Sequence, residues 1–299
     1  MNSKKILVVG AKGQLGLEFL NMLKENNEEI GPIPKFYEDA VVKGLSFLDL
    51  DITKKEDVFS LIKKEKPYAV VNCAAFTNVD LCETEKEMAF KVNALGPRNL
   101  AMACEKEKAK LIHISTDYVF DGQVCEKKIE SDAINPQSVY GKSKALGEQY
   151  VKNFCRSWFI LRTSWLYGQF GNNFVKTIVK AAKEKGVLNV VKDQIGTPTY
   201  ALDLSYLILR LIPTQEYGLF HCSGNGQCSW FEFAEKIVEN FKINAKVNSC
   251  FTQDFKRAAK RPKFSVLENF MLKLTIGDFF RDWKQALKSF AKKNKKLSL

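Results

Sequence analysis

Tyr140 and Lys144 stand four residues apart in Val139-Tyr140-Gly141-Lys142-Ser143-Lys144. On a helix this spacing puts both side chains on one face, so an ammonium can lie beside a phenol. An isolated tyrosine titrates at about 10, and a proton donor working near neutral pH gains from a value lowered by about two to three units. A close ammonium pushes in that direction, and the spacing therefore predicts a lowered Tyr140 pKa. Chance placement alone supplies about one such pair in a chain of this composition, so its weight must come from its setting. Upstream lies Ser115-Thr116-Asp117-Tyr118, and near the start an apolar run enters glycines at positions 10, 13 and 16 before a helical pattern. That reads as strand, tight turn and helix, a place where backbone can approach a pyrophosphate and the helix N–H groups stabilise its charge. The spacing departs from the commoner G-x-G-x-x-G, and a purely structural turn is the alternative reading. Together the groups point to hydride transfer to a carbonyl, which leaves a negative oxygen for Tyr140 to protonate. Thr116 follows the apolar run 111–114, at the end of a strand where open parallel sheets place ligands, and would orient the carbonyl and donate to the developing alkoxide. Ser115 is the competing hydroxyl.

Positioning these groups requires a layered scaffold. Apolar runs at 6–9, 69–73, 111–114, 159–161 and 219–222 alternate with helical patterns at 14–24, 80–107, 139–153 and 201–211. Such alternation predicts an α/β fold with a doubly wound parallel sheet, and the Val-, Ile- and Leu-rich runs fit strands covered on both faces. The expected dinucleotide-binding domain spans 1–168, with 198–222 returning to it. A smaller discontinuous α/β lobe takes 169–197 and 223–299, where 172–185, 230–241 and 278–292 read as helices and 245–251 as a strand.

The chain has 299 residues, 45% of them hydrophobic, enough for one large core or a core with a small lobe. No run approaches the roughly 20 apolar residues of a membrane span, and no export signal is visible, so a cytoplasmic location is expected with no membrane partner. Eight scattered cysteines lack C-x-x-C spacing and there are only two histidines, which gives no zinc set and implies reduced thiols. Cys73, Cys222 and Cys250 read as small core residues. The net charge of +12 is mostly dispersed lysine, with one dense cluster at Lys292-Lys293-Asn294-Lys295-Lys296, so no nucleic-acid partner is expected.

The glycines, Thr116 and the Tyr140–Lys144 pair resemble the extended short-chain dehydrogenase/reductase superfamily, with its G-x-x-G-x-x-G, a Ser/Thr after the fifth strand and Y-x-x-x-K. More narrowly, Asn72 to Asp80 (NCAAFTNVD), Ser115 to Gly122 (STDYVFDG), Arg162 to Gly168 (RTSWLYG), Gly171 to Phe174, Asp193 to Thr199 (DQIGTPT) and Arg261 to Leu267 (RPKFSVL) are similar to the dTDP-4-dehydrorhamnose reductase family. The resemblance runs in order from about residue 4 to about residue 287. It implies reduction of the 4-keto group of dTDP-4-dehydro-6-deoxy-L-mannose to dTDP-L-rhamnose, a precursor of bacterial surface polysaccharide. It further implies that Lys144 hydrogen-bonds a nicotinamide ribose and that Asn93 supports Lys144. Gly10, Gly13, Gln14, Leu15 and Gly16 would enclose the pyrophosphate, Ala74 and Ala75 would sit beside the ribose, and Asp51 and Ile52 match an adenine-contacting pair.

For the cofactor, Ile30-Gly31-Pro32-Ile33-Pro34-Lys35 reads as the end of the second strand, where an NAD-preferring fold carries an acid. Lys35 there would suit a 2′-phosphate, which favours NADPH with NADH possible; a plain surface lysine is the alternative. For the substrate, the resemblance assigns Arg261 to the diphosphate, with surface salt-bridge duty as the alternative. It assigns Thr77, Val79, Trp165, Asn173 and Phe174 to the sugar and nucleotide pocket, although the two aromatics can equally be core. Glu18 matches a glutamate that some relatives use for magnesium at a dimer interface, but Leu202 replaces their second acid. The expectation is no metal and a monomer or weak homodimer. Two alternatives share these motifs: a reductase or epimerase of another nucleotide sugar, and a non-catalytic NADP-binding regulatory subunit, against which an intact Thr116, Tyr140 and Lys144 argue.

Overall fold

The computed structural model describes residues 4–297. Its strands are β1 (Lys5–Val9), β2 (Val41–Leu45), β3 (Ala69–Asn72), β4 (Lys110–Thr116), β5 (Trp158–Thr163), β6 (Leu166–Tyr167), β7 (Val187–Val191), β8 (Ile195–Gly196), β9 (Thr199–Tyr200), β10 (Gly218–His221), β11 (Cys228–Ser229) and β12 (Lys246–Cys250). Its α-helices are α1 (Gln14–Lys24), α2 (Lys55–Glu65), α3 (Val79–Thr84), α4 (Lys86–Phe90), α5 (Gly96–Glu107), α6 (Val139–Phe154), α7 (Phe174–Lys185), α8 (Ala201–Leu211), α9 (Trp230–Asn240), α10 (Phe270–Leu274) and α11 (Trp283–Lys293). Among these residues no helix is long and apolar enough to cross a membrane.

Six strands form one parallel sheet in the order β10-β5-β4-β3-β1-β2. Both faces are covered, which is why the strands are continuously apolar. In β1, Ile6 and Val8 enter the core under α1 and α8, while Leu7 and Val9 enter the core under α2, α5 and α6. Register fixes the site: Val9 pairs with Asn72, Asn72 with His113, and Thr116 with Thr163. The residues that leave β1, β3, β4 and β5 therefore meet along one carboxyl edge, where a doubly wound sheet binds ligands. Beyond it, β7 and β12 pair in parallel, with α7, α9 and α11 packed alongside.

Two local departures from the pattern have clear causes. The helical run 80–107 is broken into α3, α4, a π-helical turn at Lys91–Leu95 and α5. Pro97, in the first turn of α5, removes one backbone donor and loosens the preceding turn, while Glu85 leaves helical geometry between α3 and α4. The second strand is Val41–Leu45 and does not end at 34, because Pro32 and Pro34 cannot donate to a ladder. Lys35 instead opens a 3₁₀ turn, Lys35–Tyr37. There Phe36 packs on Tyr68 at 5.1 Å, just before β3 begins, and the Tyr37 hydroxyl donates to the Leu209 carbonyl at 2.9 Å. Lys35 thus lies at the amino edge of the sheet, opposite the glycine turn, and the expectation that it meets a cofactor 2′-phosphate is corrected.

Candidate active site

The turn after β1 is built to bring backbone close to backbone. Gly10 has φ +76°, and a β-carbon there would lie 2.6 Å from the Ala74 nitrogen, so only glycine fits. Gly13 caps α1 in an extended conformation, and Gly16 lies in its first turn. Gln14 ties this turn across the site: its Nε2 donates to the Leu166 carbonyl at 3.1 Å and its Oε1 accepts from Asn173 at 3.0 Å. A cavity of about 450 Å³ opens between Gly13, Gln14 and Leu15 on one side and Thr116, Tyr140 and Lys144 on the other, with Ala74 and Ala75 on its wall.

Helix α6 is pressed into place. Ser138 caps it by accepting from Gly141 N at 3.1 Å, and a β-carbon on Gly147 would come within 2.2 Å of the Asn93 carbonyl. Asn93 is fully buried in the π turn, accepts from Phe76 N, and donates to Phe76 O and to Ser143. It therefore straps the 74–77 loop to α6, and both of its amide donors are spent there.

Burial pushes the Tyr140 phenol above its ordinary value, the Thr116 hydroxyl pulls it down, and Asp117 and Tyr118 push it further up. The expected lowering by Lys144 is not what this geometry produces. The Lys144 Nζ donates to the Ile114 carbonyl at 2.5 Å, and burial brings its own pKa down to about 8 against the opposing pull of Glu148. Both groups feel the low-dielectric interior more than each other. Tyr140 is consequently a neutral phenol. Thr116 Oγ1 accepts from Tyr118 N at 3.2 Å and donates to Asp117 at 2.9 Å. Ser115, the rival hydroxyl, donates to Glu148 Oε1 at 2.6 Å and is committed there.

Beneath the site lies an ion pair that the sequence reading missed. Arg162 grips Glu148 through Nε at 2.9 Å and Nη2 at 2.7 Å, with each side chain 2% exposed. Burial raises the Glu148 pKa, but Arg162 and Ser115 outweigh it and the net shift is downward. The signal was available: Glu148 continues the Tyr140, Lys144 spacing by a further four residues on one helix face.

A second cavity of about 460 Å³ shares Thr77, Val79, Tyr118 and Trp230 with the first. Phe174 lines it, with Arg257 and Arg261. Arg261 donates to Asp80 at 2.8 Å, and its Nη1 is buried without a partner; Arg257 stands 3.6 Å from the same carboxylate. Trp165, held at φ +44°, stacks on Trp230 with ring centroids 3.4 Å apart. Asn173 caps α7 and bonds Gln14 and the Gly168 carbonyl, so it braces the site, and its neighbour Asn172 lines the first cavity instead. Trp230 and Arg257 were not singled out from the sequence; Arg257 precedes Arg261 by four residues in a basic run, a usable hint. Asp51 and Ile52 lie outside both cavities: Asp51 bonds Thr53 and Ile52 is buried under Gly96. Asp51 borders an open cleft with Phe47 and Leu48 beyond β2. Glu18 is buried, accepts from Gln169 N at 3.0 Å and has its carboxyl pushed up to about 6 by burial.

The family model described as RmlD substrate binding domain matches residues 4–296. A dTDP-4-dehydrorhamnose reductase of Aggregatibacter actinomycetemcomitans is 39% identical over 95% of this chain and 97% of its own length. A crystal structure of a dTDP-4-dehydrorhamnose reductase from Clostridium acetobutylicum has 46% identity, covers 96% of this chain and 98% of that one, and superposes with a TM-score of 0.90. One from Bacillus anthracis in complex with NADP has 40% identity, covers 98% and 100%, and also gives a TM-score of 0.90. A strand-end cavity bearing Thr116, Tyr140 and Lys144 beside a glycine turn, and a sequence match along almost all of both chains, lead to one assignment: this chain belongs to the dTDP-4-dehydrorhamnose reductase family.

Proposed function

We propose that this protein reduces the 4-keto group of dTDP-4-dehydro-6-deoxy-L-mannose to dTDP-L-rhamnose with NADPH, NADH being the alternative donor, in nucleotide-sugar synthesis for surface polysaccharide. The observation that carries this reading is the joining of two cavities by Thr77, Val79, Tyr118 and Trp230, one with the proton donor and glycine turn, the other with two arginines. A nucleoside diphosphate sugar has that shape: a reacting ring at one end, a diphosphate and base at the other.

The residues fit a dinucleotide. Where Gly10 abuts Ala74 a side chain would fill the turn, and the α1 amino end faces the cavity with its positive dipole. When bound, the nicotinamide supplies the hydride. Tyr140 gives its proton to the oxygen that becomes negative, and its burial keeps that proton in place until then. Thr116 orients the carbonyl from the end of β4. Lys144, a cation anchored on Ile114 O, stabilises charge developing on the Tyr140 oxygen and hydrogen-bonds the ribose. Arg261, with Arg257, takes the diphosphate, and the unpartnered Arg261 Nη1 is the donor left for it. The Trp165–Trp230 stack, Val79 and Phe174 form the apolar wall for sugar and base. The smaller lobe, 169–197 and 223–299, would carry the nucleotide end. Every residue named comes from one chain, so a monomer or weak homodimer suffices.

The test is turnover of NADPH with that keto sugar, followed by nicotinamide absorbance and product identity. Formation of dTDP-L-rhamnose, lost in Tyr140→Phe while NADPH still binds, is the expected outcome. Cofactor binding without turnover, or full turnover in the variant, would overturn the reading.

A further inference from the structure

Asp117 is a buried carboxyl that the mechanism above does not use. It is 2% exposed at the start of the 3₁₀ turn Asp117–Val119 and borders the catalytic cavity. Its Oδ1 accepts the Thr116 hydroxyl at 2.9 Å, while its Oδ2 is buried with no partner of good hydrogen-bond geometry. Holding an ionised carboxylate this far from water is costly even with hydrogen-bonding neighbours. Burial accordingly raises its pKa to about 6, against Ser265, Thr116 and two backbone N–H groups that favour the charged form.

Thr116 has a single proton to give, and Asp117 decides where it points. With Asp117 ionised, that proton is spent on Oδ1. With Asp117 protonated, the bond reverses: the acid donates to Thr116 Oγ1 and frees the hydroxyl proton, for the carbonyl during reduction and afterwards for Tyr140, the phenol on which Thr116 already acts.

We propose that Asp117, acting through Thr116, is the source of the proton that restores Tyr140 after each turnover, an inference that rests on the reductase reading. Tyr140 is left as a phenolate once its proton has gone to the product oxygen. The Thr116 hydroxyl proton moves to that phenolate while the Asp117 carboxyl proton moves to Thr116 Oγ1. One proton has then passed from Asp117 to Tyr140, Thr116 is unchanged, and the Asp117 carboxylate takes up one proton from bulk solvent through the cavity it borders, the proton that each reduction consumes. The transfer runs downhill, because the phenol titrates above its ordinary value of about 10. The ionisable groups around Asp117 are Tyr140 from α6, Tyr118 in its own turn and, past Tyr118, Arg261 with Asp80.

The experiment pairs kinetics with a titration that needs no substrate. Over pH 5 to 7, below the range in which Lys144 titrates, the wild type should lose kcat as Asp117 ionises. Asp117→Asn, whose amide cannot reload, should have kcat lowered about tenfold to hundredfold with that limb abolished and KM within about threefold. A limb that survives in Asp117→Asn, or a change in KM alone, overturns the relay. In protein labelled with ¹³C-aspartate, one carboxyl should titrate near pH 6. It should be missing in Asp117→Asn and displaced in Thr116→Val. If that carboxyl titrates in the ordinary range or ignores Thr116→Val, the relay fails. Absent turnover in the wild type would overturn the reductase reading, and the carboxyl titration would still decide the relay.

Discussion

The buried Glu148–Arg162 pair offers a sharp quantitative check, through Glu148→Met, Arg162→Met and the double variant. Each side chain is 2% exposed and two charged hydrogen bonds of 2.7 and 2.9 Å join them. Removing one partner strands a charge in the interior, which costs about 3–5 kcal/mol, whereas removing both and filling the space with apolar atoms is often near neutral. Unfolding entropy of about 2.1 cal/mol/K per residue gives roughly 0.6 kcal/mol/K for 299 residues, so each single variant should melt about 5–8 °C lower. The double variant should recover most of that, with a coupling of at least about 2 kcal/mol. Glu148 titrates below its ordinary range, so the pair contributes fully above that range and fades only as pH falls through the depressed value; neutral buffer is the right condition. Glu148 also favours the Lys144 ammonium, which burial brings to about 8. Losing Glu148 lowers that pKa further, so the limb of activity that Lys144 sets near pH 8, distinct from the Asp117 limb near 6, should move toward acid in Glu148→Met. Denaturant and thermal melts with pH–rate profiles decide the matter. Single variants that each cost less than about 1 kcal/mol, or a double variant equal to the sum, would refute the argument.

Trp230→Ala removes half of the stack between the two cavities, so KM for the sugar nucleotide should rise about tenfold while NADPH affinity stays within about twofold; equal losses in both would place Trp230 elsewhere. Lys35→Ala should leave the NADPH to NADH ratio of kcat/KM within about twofold, since Lys35 is on the far edge of the sheet, and a tenfold change would contradict that placement. Gly10→Ala combines a left-handed φ with a collision at Ala74, so it should cost at least about 1–2 kcal/mol in a melt and abolish NADPH binding measured by titration; a stable variant that binds normally would mean the turn is soft.

Much of this protein is legible in its sequence because the relevant physics is local. The strand-turn-helix at Gly10 to Gly16, the alternation that makes a doubly wound sheet, and the shared helix face of Tyr140 and Lys144 all follow from periods of two and 3.6 residues. Motifs in order also pointed to Thr77, Val79, Phe174 and Arg261, which do line the cavities. What sequence left open is what depends on neighbours distant in the chain. The second strand was misplaced because 30–35 was taken as its end, although Pro32 and Pro34 cannot donate to a ladder, and with it Lys35 went to the wrong edge. The direction of the Tyr140 shift depends on how much water the fold removes, a three-dimensional quantity that residue spacing does not carry. That the Ser115 hydroxyl is committed to Glu148, on another element, is likewise a fact of packing. Asn93 and Asn173 became braces because their amides met Phe76 and Gln14, respectively, across the fold. Residue types and local spacing fixed which groups were present and on which elements. Only packing, which sets dielectric and allots each donor its acceptor, decided what those groups do.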